Sequence, residues 1–183
     1  LPIGFDPAAL DQRSLELLMD VLLKGTMQEE ACREITRRRG ATHWYSSHFE
    51  PIYQALLSAC SLLNRIKNLA FAIESVPDGL RKYISSWYQV DQYYRKYIYW
   101  MRQSNQPAFF KELAELIEKQ YSNNFLRPLN DNWQSVVDQV TQWEDHTLNM
   151  QGDFYQQFVE PVLHSNTKLA VIISDGLRYE LGE

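Results

Sequence analysis

Apolar residues recur at intervals of three and four along most of the chain, which is the pattern of helices that bury one face. Asp6 and Pro7 predict the start of the first helix, because an N-cap aspartate before a first-turn proline favours initiation. Lys24 and Gly25 predict its end. Similar stripes predict further helices over residues 26–40, 50–75, 80–102, 107–121, 132–146 and 152–163. The chain is therefore predicted to be all-α, a multi-helix bundle of six or seven helices over residues 1–165.

Two proline-containing stretches mark predicted breaks between these helices. Residues 76–79, with Pro77, separate the third helix from the fourth, and residues 126–130, with Pro128, bend the chain. Proline ends or kinks a helix because it lacks the backbone N–H and its ring clashes with the preceding turn. Both stretches are therefore expected at helix boundaries.

The periodicity changes near the C-terminus. Residues 168–176 contain a short continuous apolar run, rich in β-branched residues, that ends in a polar turn. This pattern is typical of a fully buried strand in a parallel sheet, and residues 177–183 are typical of a helix that starts to return over that sheet. A lone parallel strand is not stable. Residues 166–183 are therefore expected to be a C-terminal β-strand stub of a truncated α/β domain, and the chain a piece of a longer protein.

Composition excludes several classes of protein. Of the 183 residues, 45% are apolar and 22% are charged, which is typical of a soluble globular chain rather than a disordered or fibrous one. The longest purely apolar runs have five residues, far fewer than the roughly 20 that a membrane span needs. Cys32 and Cys60 have no metal-ligand spacing and indicate buried thiols in a reducing compartment. We expect a cytoplasmic protein that does not associate with membranes.

Charge and aromatic residues are unevenly distributed. Residues 41–104 carry seven Lys and Arg against four Asp and Glu, whereas residues 105–183 carry five against twelve. The predicted helix over 80–102 adds eight Tyr and Trp side chains to this basic segment. Interleaved basic and aromatic residues can bind single-stranded nucleic acid, so DNA contact through Arg95 and Lys96 is one hypothesis. The other is a central helix whose aromatic residues form core and contact surface.

Candidate metal ligands are sparse. His43 and His48 are five residues apart, which does not align them on one helix face. Residues 144–146 (Glu, Asp, His) are adjacent and point in different directions on a helix. Asp175 is the sharpest candidate, because ligands bind beyond the carboxyl ends of strands in open α/β sheets, although the same position suits a turn or cap residue. The sequence contains no Gly-rich phosphate loop, serine nucleophile elbow or metal-binding Cys/His spacing.

Four stretches of the sequence resemble a known family. Residues 168–183, KLAVIISDGLRYELGE, are similar to the opening of the PglZ domain, a branch of the alkaline phosphatase superfamily. Residues 121–134, YSNNFLRPLNDNWQ, resemble the helical segment that precedes this domain in PglZ proteins of bacteriophage-exclusion (BREX) systems, and so do residues 153–155 and 159–161. The resemblance is strongest over residues 120–183.

The resemblance implies a metal-dependent phosphatase or phosphodiesterase as the parent protein. In the superfamily, the aspartate that ends the first strand of the sheet binds the catalytic divalent metal pair, and Asp175 matches it. The parent is expected to use zinc, manganese or magnesium. Its nucleophile and other ligands would lie beyond Glu183, so this chain is expected to hold no catalytic residue and to bind no cofactor by itself. Arg178 and Glu180 match the PglZ pattern without a role that can be carried over.

The helical region then needs a function of its own. The resemblance implies a catalytically inert scaffold that docks the phosphatase domain onto other proteins of a BREX phage-defence system. The alternatives are a structural spacer of the enzyme and a nucleic-acid-contacting module built on residues 80–102.

Overall fold

The computed structural model describes residues 7–41, 49–141, 151–164, 167–174 and 176–183. These ranges are predominantly helical, which confirms the all-α prediction, and none of their helices is long and apolar enough to cross a membrane. The α-helices of the described residues are α1 (Pro7–Leu23), α2 (Glu29–Gly40), α3 (Glu50–Lys67), α4 (Val76–Lys82), α5 (Tyr88–Gln103), α6 (Pro107–Tyr121), α7 (Arg127–Val137), α8 (Glu160–Leu163) and α9 (Tyr179–Gly182).

Several of these helices are joined by π-helical turns. One such turn, Tyr83–Trp87, joins α4 to α5, and another, Ser122–Leu126, joins α6 to α7. Pro128 lies in the first turn of α7. Because a proline lacks the N–H that an α-helix needs, helices commonly change their geometry next to one. The predicted bend at 126–130 therefore lies where a π turn joins the first turn of α7, and the helical stretch continues through it without a break.

The connection between α3 and α4 differs from the sequence-based expectation. α3 ends at Lys67, and the apolar residues after it are not helical. They pack on the bundle instead, since the Phe71 ring centroid lies 5.7 Å from that of Trp87 and 6.0 Å from that of Phe125. The stripe over 50–75 thus combines one helix with one connection that covers the core. The apolar residues after Lys67 therefore reflect packing of the connection on the core, not continuation of the helix.

The predicted helix boundary at 76–79 is confirmed as the start of α4, but the non-helical connection lies before it, over residues 68–75. Ser75 caps the new helix, with its Oγ accepting a hydrogen bond from the backbone N–H of Asp78 at 3.3 Å. Pro77 fits the first turn, where its missing N–H has no intrahelical partner to lose. A serine cap followed by a first-turn proline therefore initiates a helix at this position.

α3 is the central helix of the bundle and packs against α1, α2, α5 and α6. Ten of its eighteen residues are buried, so it is covered on nearly all sides. Removing apolar surface from water contributes about 25 cal/mol for each Å², and this core is therefore the main source of the stability of the bundle. The largest fully buried side chains of the core are Tyr53, Leu56 and Leu62 of α3, together with Leu22, Tyr97, Phe110, Leu113, Ile117 and Phe125.

The structure does not show the predicted C-terminal strand. Residues 167–174 have no regular secondary structure, and Ile172 and Ile173 are 90% and 89% exposed. A strand is defined by hydrogen bonds to a neighbouring strand, and the described residues supply no such partner. The proposed domain boundary at residues 165 and 166 and the candidate ligand Asp175 lie outside the described residues.

Candidate docking site on the aromatic helix

The C-terminal segment, residues 167–174 and 176–183, is held against α5 by a buried carboxylate. Glu180 of α9 is only 3% exposed, and its Oε1 lies 2.6 Å from Nε of Arg95 in α5. An unpaired carboxylate at this depth would lose its hydration without compensation. The ion pair with Arg95 supplies that compensation, although the Arg95 side chain remains 38% exposed. This contact joins residues that are 85 positions apart in the sequence.

A network of tyrosine hydroxyl groups extends this contact across the bundle. Tyr83 donates a hydrogen bond to Asp91 Oδ2 at 2.7 Å, and Tyr121 donates one to Asp91 Oδ1 at 2.5 Å. The Tyr83 hydroxyl also lies 3.5 Å from Glu180 Oε2, at the outer limit of a hydrogen bond. Burial, reinforced by the hydrogen bonds to Asp91, raises the pKa of Tyr83 and of Tyr121. Both phenols are therefore neutral donors near neutral pH.

Aromatic rings surround this polar network. The Tyr179 ring of α9 makes edge-to-face contacts, with centroids 5.3 Å from Tyr88 and 6.3 Å from Tyr83. Tyr94 and Tyr121 stack in parallel at 3.9 Å. Edge-to-face and stacked pairs stabilise a contact by about 0.5–1.5 kcal/mol beyond the area they bury. α9 is thus fixed by ring contacts as well as by the ion pair.

α5 uses two sides for two purposes. Val90 and Tyr97 are buried and face the core of the bundle, as does Trp87 of the preceding π-helical turn. Tyr88 and Arg95 lie on the side that contacts α9. The aromatic residues of the predicted helix over 80–102 therefore form both core and contact surface, as one of the two sequence-based hypotheses holds.

The residues of the nucleic-acid hypothesis have other partners in this structure. Arg95 is paired with Glu180. Lys96 donates a hydrogen bond to Gln92 at 3.2 Å, and its ammonium group lies 5.7 Å from the centre of the Tyr93 ring. The contacts of Arg95 and Lys96 with the described residues therefore give no support to the DNA hypothesis.

The other sequence candidates are not assembled into a site. Of the residues that the structure describes, no group of three or more His, Cys, Asp and Glu could hold a metal ion. His43, His48 and residues 144–146 lie outside the described ranges, as Asp175 does, and the metal assignment of Asp175 therefore stays a prediction. Cys32 and Cys60 are buried free thiols. A hydrogen bond with Cys60 and burial raise the pKa of Cys32.

Sequence reasoning missed the partners that make the docking site. It identified Glu180 and Arg178 as part of a motif, and Arg95 as a possible DNA ligand, but it did not connect them. Asp91 was not singled out, although it accepts two tyrosine hydrogen bonds. A carboxylate in the middle of an aromatic helix face is a signal that could have drawn attention to it.

The chain is similar in sequence to curated alkaline phosphatase-like proteins. The alkaline phosphatase-like protein PglZ of Bacillus cereus (strain H3081.97) is 33% identical over 154 residues, which are 82% of this chain and 18% of that protein. The alkaline phosphatase-like protein BrxZ of Escherichia coli O9:H4 (strain HS) is 26% identical over 190 residues, which are 96% of this chain and 22% of that protein.

The chain thus spans about a fifth of the length of these two curated relatives. No family model matches the chain, and no solved structure matches it. The similarity extends well beyond residues 120–183, where the sequence motifs are concentrated, and includes most of the helical bundle. The chain is therefore a homologue, over most of its own length, of the PglZ-type alkaline phosphatase-like proteins, as the motifs predicted.

Proposed function

We propose that this chain is the helical docking region of a PglZ-like, metal-dependent phosphatase or phosphodiesterase. In this proposal α5 is the surface that holds the first elements of the phosphatase domain. The single observation that carries it is the buried ion pair between Glu180 and Arg95. Glu180 belongs to the motif that resembles the opening of the PglZ domain, whereas Arg95 belongs to the bundle.

The exposed apolar residues of the C-terminal segment support the same proposal. The exposed fraction is 39% for Leu169, 47% for Val171, 90% for Ile172 and 89% for Ile173. Consecutive apolar residues with this exposure are costly in water, and they would be buried as the first strand of a parallel sheet. The relatives are about five times longer than this chain, which leaves room for such a sheet in a protein of their size.

The metal chemistry belongs to the parent protein in this proposal. A two-metal phosphotransfer site needs several ligands for each ion and a surrounding set of hydrogen bonds. Asp175 is proposed as one ligand of zinc, manganese or magnesium. The described residues of this chain do not fit a complete site, so the chain alone is proposed to be catalytically inert. Cytoplasmic BREX proteins are the proposed partners of the scaffold.

Hydrogen exchange measured on the 183-residue chain tests the docking. We expect Arg95→Met to accelerate exchange of the amides in residues 177–183 by at least about tenfold, because removing one member of a buried ion pair leaves a carboxylate uncompensated. Glu180→Gln should accelerate exchange in the same segment. Lys96→Met is the matched control. Lys96 is adjacent to Arg95 on the same helix, but its contacts are to Gln92 and Tyr93 and not to α9. Equal exchange in Arg95→Met and Lys96→Met would contradict the docking proposal.

Phosphodiester hydrolysis tests the assignment of the chemistry. The purified chain should not hydrolyse a chromogenic phosphodiester with added zinc, manganese or magnesium. Metal-dependent hydrolysis that Asp175→Ala abolishes would overturn the proposal that this chain is inert. In a protein that includes both this chain and a phosphatase domain, Asp175→Ala should abolish hydrolysis, and full activity of that variant would overturn the metal-ligand assignment.

A further inference from the structure

A basic cleft lies between α5 and the C-terminal segment, next to the docking contact. Its volume is about 460 Å³, and Arg95 and Arg102 from α5 line it together with Arg178 from the segment. Tyr94, Tyr99 and Tyr121 form its aromatic walls. No aspartate or glutamate lines the cleft. Three arginines from two separate parts of the fold thus line one space.

The three arginines do not have the same role. Arg95 is already paired with Glu180, and its charge is compensated. Arg102 and Arg178 are exposed, and within the described residues neither makes an ion pair. Two uncompensated positive charges beside a closed ion pair create a local positive potential. The carboxylates of Asp91 and Glu118 hydrogen-bond to Tyr121 and Tyr94 of the cleft walls, so the positive charge that an anionic ligand can use is that of Arg102 and Arg178.

Guanidinium groups select a particular kind of anion. Their planar arrangement of N–H donors matches the oxygen atoms of a phosphate group and allows two parallel hydrogen bonds. The cleft is also larger than a phosphate group, and its volume lies within the range of pockets that hold small organic ligands. More than half of the Tyr99 side chain is exposed, at 54%, so it can contact an aromatic or sugar portion of the ligand.

We propose that this cleft binds the terminal phosphate groups of a small phosphorylated ligand, with Arg102 and Arg178 as the phosphate-binding residues. The inference rests on the docking proposed above, because the pairing of Glu180 places Arg178, two residues earlier, at the edge of the cleft. Gly176 allows the approach of this segment to α5, since its φ of 74° is a conformation that side chains disfavour. The site is then complete only when the C-terminal segment is docked.

Calorimetric titration of the 183-residue chain with inorganic pyrophosphate and with ADP tests the proposal. Arg102→Ala and Arg178→Ala should each weaken binding of both ligands by about tenfold, the effect of one charge-assisted hydrogen bond at an exposed site. Arg81→Ala is the matched control, because Arg81 is an exposed arginine outside the cleft, and it should change affinity less than about twofold. Arg102→Lys should recover part of the affinity, since it restores the charge without the planar donors.

The two ligands distinguish the source of the phosphate. Equal affinity for pyrophosphate and ADP supports a site for the phosphate groups alone. Tighter binding of ADP, reduced by Tyr99→Ala to the affinity of pyrophosphate, supports a nucleotide site. Absence of binding by both ligands at low salt would overturn the proposal, and so would an equal loss in Arg81→Ala and Arg102→Ala, or binding of duplex DNA but of neither small ligand.

Hydrogen exchange separates this failure from a failure of docking. If residues 177–183 are protected in the wild-type chain and neither ligand binds, the cleft proposal is wrong while the docking proposal stands. If these residues are unprotected, docking itself fails, and the cleft proposal fails with it. Arg102→Ala should leave their protection unchanged, because Arg102 makes no ion pair with the described part of the segment.

Discussion

The bundle and the C-terminal segment differ in the exposure of their apolar residues, although each buries a carboxylate in an ion pair, Asp11 with Arg39 and Glu180 with Arg95. In the bundle, Leu56 and Phe110 are fully buried, and the Glu34 carboxylate is 37% exposed between Arg37 and Arg38. In the segment, Ile172 is 90% exposed, and the Glu180 carboxylate is almost completely buried. The bundle is therefore stabilised by removal of apolar surface from water, whereas the segment is attached by a charge pair and its aromatic neighbours.

This difference indicates which region is complete in its packing. A bundle that buries its large side chains against each other needs no further partner for those residues. The segment leaves its apolar residues in water while it buries a carboxylate at a cost in hydration. Such an arrangement is expected of an element that has one face on the bundle and a second face intended for another surface. The parallel sheet proposed above would supply that surface.

Truncation of the bundle core should have the largest effect. Phe110 is fully buried, and its ring lies 6.3 Å from that of Tyr97. Phe110→Ala should lower the free energy of unfolding by about 3–5 kcal/mol, because it removes a large apolar side chain and leaves a cavity. Urea denaturation followed by circular dichroism measures this loss. Ile84→Ala, at a residue that is 47% exposed, is the control and should cost much less. A loss below about 1 kcal/mol in Phe110→Ala would contradict the described core.

Removal of the carboxylate between two tyrosines should have the next largest effect. Asp91→Asn leaves only one oxygen to accept hydrogen bonds, so either Tyr83 or Tyr121 loses its acceptor. Leaving a partly buried hydroxyl without a partner costs about 1–3 kcal/mol. Urea denaturation should show a loss in this range. An unchanged unfolding free energy would mean that the two short hydrogen bonds do not stabilise the fold.

The same pair of tyrosines predicts an alkaline limit to stability. Their pKa is raised in the folded chain above the ordinary value of 10.0. The stabilisation is therefore fully present below pH 10 and is lost as the pH rises through the folded-state values, because the unfolded tyrosines ionise first. Asp91→Asn should lower the folded-state pKa of both tyrosines and so narrow the pH range over which this stability is lost. Absorbance of the phenolate form against pH measures both effects.

Sequence reasoning predicted the bundle well because its signal is local. Helical stripes and caps lie within one element, and the helices around Leu18, Leu56 and Leu113 follow from spacing alone. The connection after Lys67 was misassigned because an apolar residue such as Phe71 has the same pattern whether it packs from a helix or from an extended chain. Whether such a residue is helical or extended depends on its tertiary contacts, and these are not visible in a single sequence.

The docking site depends on contacts that no local pattern records. Arg95 and Glu180 are 85 positions apart, and nothing near either residue identifies the other. Arg39 is a similar case: its guanidinium lies 3.3 Å from the buried carboxylate of Asp11 in another helix. Its neighbours Arg37 and Arg38 pair instead with Glu34 of their own helix. Long-range ion pairs are thus the part of the site that required the structure.

A surface carboxylate provides a smaller test of the comparison. Hydrogen bonds from Arg37 and then Arg38 lower the pKa of Glu34 from its ordinary value of 4.5 to about 2. Its contribution to stability is therefore present above pH 4.5 and is lost as the pH falls through about 2. Titration of the Glu34 carboxyl carbon by NMR should give a midpoint near 2, and Arg37→Ala should raise it. A wild-type midpoint near 4.5 would show that solvent screens these exposed ion pairs completely.

The smallest effect is expected where the sequence is most apolar. Ile172→Ser should change the unfolding free energy of this chain by less than about 0.5 kcal/mol, because a side chain that is 90% exposed makes few contacts to lose. Leu56→Ser, at a fully buried position, is the matched substitution in the bundle and should be strongly destabilising. Parallel urea titrations compare the two directly. A loss above about 1 kcal/mol in Ile172→Ser would mean that residues 167–174 already bury their apolar side chains in solution, and the contrast between the two regions would no longer hold.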